Sequence, residues 1–171
     1  MTTEPSARRT TTRVSRIIKA PRDRVYHACL DPDALASWRV PDNMTGRMHV
    51  FDAREGGTYR MSLTYQDAAP GNDAAHGNAT HRPRGKTSDD IDSFQGRFIE
   101  LVPNEKIIEM ILFESPDPQF HGEMKITTSL KDSAQGTEIT ILCQDIPTGI
   151  RPEDNEMGCQ SSLRKLAARL E

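Results

Sequence analysis

With 171 residues, 27 % of them charged, and a formal net charge of -3, the chain has the size of one domain, since single domains run to about 100 to 200 residues. No block of like charge suggests a nucleic-acid arm or a polybasic anchor, and no apolar run approaches the roughly 18 residues a membrane span needs, which argues against both partners. The N-terminal arginines are followed by no apolar segment and the three cysteines form no C-x-x-C, so a soluble, cytoplasmic protein with reduced, buried thiols is expected.

Residues 1–10 are polar and without periodicity, which predicts a flexible tail ahead of a single domain at 11–171. Thr, Val and Ile content predicts a first strand over residues 11–19. Pro21, placed at a first helical position, and Asp23 open a short helix whose Val25, Ala28 and Cys29 share a face. Asp31-Pro32 ends that helix and caps a second one that runs to Trp38.

A strand over residues 47–54 and a tight turn at Glu55-Gly56-Gly57 lead into a return strand. There Tyr59, Met61, Leu63 and Tyr65 alternate with Thr58, Arg60, Ser62 and Thr64, the period of a half-buried strand. Residues 67–90 lack periodicity and exceed ordinary loop length, so they are read as a loop or an entrance flap. Strand character resumes at 91–101, and again at 106–114 after the turn at Val102-Pro103-Asn104. Alternation over 122–130 and again from Thr137 to Gln144 predicts two further strands, the second with Ile139, Ile141 and Cys143 on one face.

Pro152, early acidic residues and late basic ones mark the start and end of a closing helix. Its stripe is Cys159, Leu163, Leu166, Ala167 and Leu170, with Gln160, Ser161, Arg164 and Lys165 off it. Strands clustered in hairpin succession, two short helices after the first strand and a long last helix imply an α+β fold with an antiparallel sheet of about six to seven strands.

Five stretches in this order carry a resemblance: I-K-A-P-R-D-R-V-Y-H-A-C-L-D-P with Trp38 following, G-G-T-Y-R, G-R-F-I-E-L-V-P-N-E-K-I-I-E, G-T-E-I-T-I-L-C, and the helix from Gly158 to Leu170. Together they resemble the START-like, or SRPBCC, helix-grip superfamily, and within it the group similar to activators of heat-shock-protein ATPase. The resemblance implies a curved sheet wrapped around the last helix and an apolar cavity between them. Relatives often carry Gly-Trp where this chain has Gly158-Cys159, which implies a larger cavity here.

The resemblance implies binding of an apolar small molecule by residues on those walls: Trp38, Tyr59, Met61, Leu63, Phe94, Met124, Ile126, Cys143, Cys159 and Leu163. For Tyr59, Met61, Leu63, Met124 and Ile126 the sequence does not separate cavity wall from core, nor does it for Trp38. Glu109 inside an apolar run and Asp145 near a strand end are read as solvent-facing positions; the other reading makes either a cavity carboxyl for a cyclase or hydrolase. His27, His49, His76, His81 and His121 are scattered without metal-ligand spacing, so no metal, cofactor or catalytic residue is assigned. A co-chaperone-like module is a third reading, and a homodimer or chaperone partner stays open.

Overall fold

The computed structural model describes residues 10–40, 44–65 and 91–171. The expected tail, except Thr10, and the 67–90 loop, with His76 and His81, lie outside the described residues. Thr10 itself opens the first strand, β1 (Thr10–Ile18), one residue earlier than expected. Its neighbours Thr12, Val14 and Ile18 point inward while most others face water.

Two short helices follow, α1 (Arg22–Cys29) and α2 (Pro32–Trp38). Pro21 stands at the N-cap of α1 rather than at its first helical position, as its ψ of 158° shows; a proline suits either place because it has no N–H to leave unpaired. Asp31 caps α2 as expected, its carboxylate accepting from the N–H of Asp33 at 3.0 Å and of Ala34 at 3.4 Å. The indole Nε1 of Trp38 donates to the Ala28 carbonyl at 2.9 Å, which joins the two helices and satisfies the one polar atom of a buried side chain.

Six strands then run in succession: β2 (Met44–Phe51), β3 (Thr58–Tyr65), β4 (Ile91–Val102), β5 (Lys106–Phe113), β6 (Met124–Ser133) and β7 (Gly136–Ile146). A single turn of 3-10 helix, Pro118–Phe120, interrupts the link between β5 and β6. The sheet has seven strands in the order β1-β7-β6-β5-β4-β3-β2, every pair antiparallel. The first strand therefore closes beside the last, and β5 is central. Register shifts at Thr10/Thr12, Met48/Val50 and Phe98/Glu100 insert extra residues, and such bulges increase local twist and bend their strands.

One glycine is required by packing. Gly96 on β4 faces Tyr59 on β3, and a Cβ at Gly96 would come within 2.0 Å of the Tyr59 ring. The ring lies across the β4 backbone there, with Phe98 at 5.3 Å and Phe94 at 6.3 Å between centroids.

The closing helix, α3 (Pro152–Leu170), packs against β1, α1 and α2. Its 19 residues rise about 28 Å at 1.5 Å each. Leu163 and Leu166 are fully buried, each contributing about 1.5 to 3 kcal/mol through the apolar surface it removes from water. Lys165 Nζ donates to the Val40 carbonyl, and Arg169 Nη1 donates to Ser37 Oγ at 3.2 Å, so the polar side of the helix is tied to α2 and the residues after it. Ser161 departs from the expected stripe: it is buried, because the short helices cover a second side of α3 that a single-faced pattern does not anticipate. The architecture is α+β, a curved antiparallel sheet gripping a long helix.

Candidate functional site

The two halves of α3 carry different side chains. The C-terminal half presents Leu163, Leu166 and Ala167 to the core, whereas the N-terminal half presents Asn155, Gly158, Cys159 and Ser162 at helical spacing toward the sheet. A Cβ built at Gly158 meets nothing within 4 Å. Small residues there leave room, and a cavity of about 220 Å³ opens between α3, α2 and the inner face of β3 to β7.

Its floor comes from alternate strand positions: Leu63 on β3; Asp92 and Phe94 on β4; Ile107, Glu109, Ile111 and Phe113 on β5; Met124, Ile126 and Thr128 on β6; Ile141 and Cys143 on β7. The alternation of strand side chains places each set on one face. Cys29, Leu35, Trp38 and Arg39 close the side formed by α1 and α2.

Polar groups meet on that wall. Glu109, 3 % exposed on the central strand, accepts from Arg39 Nη2 at 2.9 Å and Nη1 at 3.2 Å, and the Tyr59 hydroxyl donates to it as well. Arg39 Nη1 also lies 3.4 Å from the Tyr59 oxygen. The pair is bidentate, the geometry in which guanidinium and carboxylate fit best. Burial lowers the Arg39 pKa, yet the Glu109 charge, then Tyr59 and the Glu109 hydrogen bond, raise it by more, so the guanidinium keeps its proton. Burial and the Glu109 charge push the Tyr59 hydroxyl well above its usual range, against the pull of Arg39. Tyr59 is a neutral donor.

All three cysteines line the cavity. Cys29 and Cys143 are buried, but Cys159 is half-buried, in contrast to the expectation for all three. Burial pushes the Cys29 thiol up to about 12. The influence of Cys143 and Cys159 on each other pushes the Cys143 thiol down and, together with burial, the Cys159 thiol up. Among the described residues no group of three or more His, Cys, Asp or Glu is placed to hold a metal ion.

The fold has counterparts in known proteins. The family model described as "Activator of Hsp90 ATPase homolog 1-like protein" matches residues 19–171. The chain belongs to that family. A crystal structure of a Chromobacterium violaceum protein is 34% identical, with a TM-score of 0.77 over 94% of this chain and 96% of that one. Structures from Rhizobium loti (23% identical, TM-score 0.68, covering 94% and 96%) and Rhodobacter sphaeroides (18%, 0.69, covering 94% and 91%) share the fold. No curated protein matches the chain.

Within this Hsp90-activator-like fold, the residues singled out from sequence divide in two. Trp38, Leu63, Phe94, Met124, Ile126, Cys143 and Cys159 stand on the cavity wall. Tyr59, Met61 and Leu163 do not: all three are buried in the core. Tyr59 reaches the site only through its hydroxyl, Met61 lies beneath Gly46 of β2, and Leu163 falls on the filled half of α3.

Glu109 is the main correction. The run I-I-E-M-I-L-F has no polar alternation to set its phase, and the sheet points Ile107, Glu109 and Ile111 inward while Ile108, Met110 and Leu112 take the outer face. Asp145 is exposed and off the cavity, at a left-handed φ of 59°. Arg39, Asp92, Asn155 and Ser162 were missed. The two on α3 had a usable signal, small polar residues at helical spacing opposite apolar strands; Arg39 had none, because its partner lies 70 positions away.

Across the described residues no helix is long and apolar enough to cross a membrane.

Proposed function

We propose that this protein binds one small, mainly apolar molecule in the space between the sheet and α3. The observation that carries the reading is a cavity of about 220 Å³ whose walls are chiefly aliphatic and aromatic, with the Arg39–Glu109 pair set into one side. Apolar walls with a few fixed polar groups are the usual composition of a small-molecule site. An apolar cavity of about 150 Å³ holds benzene, so a guest of one ring with a short substituent suits this one.

The polar wall narrows the class further. Glu109 already neutralises Arg39, and both carboxylate oxygens accept hydrogen bonds. A second anion would compete with a bidentate partner. Arg39 retains N–H groups beyond those bonded to Glu109 and Tyr59, and these suit a neutral acceptor such as a carbonyl or ether oxygen. General-base chemistry at Glu109 has less support, because taking a proton would break the pair that holds it.

The test uses Cys159→Trp, which places a large ring where the small α3 residues leave space. Affinity for an apolar fluorescent probe should fall at least tenfold while far-UV circular dichroism stays that of the parent. Equal affinities in two folded proteins would refute the reading. Native mass spectrometry of freshly purified protein should retain a small neutral molecule in the parent and lose it in the variant.

A further inference from the structure

We propose that Cys143 and Cys159 form a two-thiol site in the cavity wall, one that takes a soft thiophilic centre, such as trivalent arsenic, carried on a small apolar body and bound through both sulfurs. The proposal rests on the reading of the cavity as a ligand site. It also has its own geometry.

Cys143 on β7 stands opposite Thr12 on β1 in the sheet register. The Thr12 hydroxyl donates to Asn155 Oδ1 at 2.6 Å, fixing the first turns of α3 over that point of the sheet. Cys159 follows Asn155 by one helical turn, and its Sγ lies 4.0 Å from the same oxygen. Helix and strand therefore place the two cysteines, 16 positions apart in sequence, on one side of the cavity around Thr12 and Asn155, and both face it. Cys143 is the more readily ionised of the two, its thiol lowered chiefly by Cys159 while Cys143 and burial raise that of Cys159, and a thiolate is the form that binds soft centres.

The number of donors limits what fits. A structural zinc ion takes four ligands, and the described residues offer no cluster of three or more for a metal. A centre satisfied by two sulfurs fits what is present. The apolar walls beside the thiols would accommodate a ring attached to it, by the same volume comparison that sizes the guest. Phenylarsine oxide has both parts. Its arsenic forms one bond to each sulfur, and its oxygen leaves as water with the two thiol protons. Arsenic stays trivalent and no electrons change hands.

The experiment is native mass spectrometry of the full chain with phenylarsine oxide. One phenylarsenic group per chain, replacing two hydrogens, is expected. It should survive excess monothiol and be removed by a small dithiol. Alkylation after unfolding should then mark Cys29 alone. Cys143→Ser and Cys159→Ser should each lose the adduct's resistance to monothiol, at least tenfold in the concentration that removes it, and alanine versions serve if a serine variant does not fold. No adduct in the parent, an adduct that blocks Cys29, or full monothiol resistance in either single variant would overturn the proposal. Apolar-probe binding measured on the same parent sample separates the two readings: a probe bound without an arsenical removes only the dithiol site, and neither bound removes both.

Discussion

Replacing Glu109 by leucine keeps most of the side-chain volume but strands the Arg39 guanidinium, which is 18 % exposed, and the Tyr59 hydroxyl. Breaking a buried ion pair by removing one partner costs about 3 to 5 kcal/mol, because the remaining charge has lost its compensation. Partial access of Arg39 to water favours the lower end, about 3 kcal/mol, which for a chain of this length lowers the thermal midpoint by about 6 to 12 °C. The pair should then behave as a unit. In a Tyr59→Phe background, which leaves no hydroxyl to strand, Arg39→Met combined with Glu109→Leu removes both charges and fills the space with apolar atoms, and such replacements are often neutral or stabilising, so the combination should recover to within about 1 kcal/mol of that background. Urea unfolding of the four proteins in the cycle, followed by circular dichroism, supplies the coupling energy. If Glu109→Leu loses less than about 0.5 kcal/mol, or the double variant is as unstable as the sum of the singles, the pair is not the desolvated unit described above.

Two further outcomes follow from the sheet. Gly96→Ala brings a Cβ to 2.0 Å from the Tyr59 ring, so either the ring or the strand must shift, at the roughly 1 to 3 kcal/mol typical of overpacking; an unchanged urea midpoint would show the ring lies elsewhere. On the outer face, Arg60 bonds Glu114 at 2.7 and 2.8 Å and, with Gln95, lowers the Glu114 pKa. A depressed carboxyl contributes stability above its unfolded value, about 4.3, that is lost as pH falls through the folded value. Glu114→Gln should therefore flatten the fall in stability below about pH 5, and parallel acid limbs in parent and variant would count against it.

How far the sequence reached depended on the range of the signal. Helix starts at Pro32 and Pro152 and the turn at Gly56 were legible because caps and turn chemistry act within a few residues. The inward faces of β3, β6 and β7 were legible because polar and apolar residues alternate along each strand. Where both faces of a strand are apolar, as in β5, local alternation carries no phase. There the tertiary structure decided that Glu109 turns inward, since only the pairing of β5 with its neighbours sets which face meets α3.

The site itself divides the same way. Sequence alone determined the class of fold, the helix that closes it and the stripe that buries Leu163 and Leu166, because each follows from periodicity along the chain. It did not determine that Arg39 would find Glu109 and Tyr59, that Tyr59 would fill the core while Phe94 stood on the cavity wall, or that Cys143 and Cys159 would line one cavity. Those are contacts between residues distant along the chain, and they exist only once the bulged, twisted sheet has closed around α3. Hydrophobic pattern specifies which face is buried, whereas partner and cavity depend on the register, curvature and helix placement that folding sets.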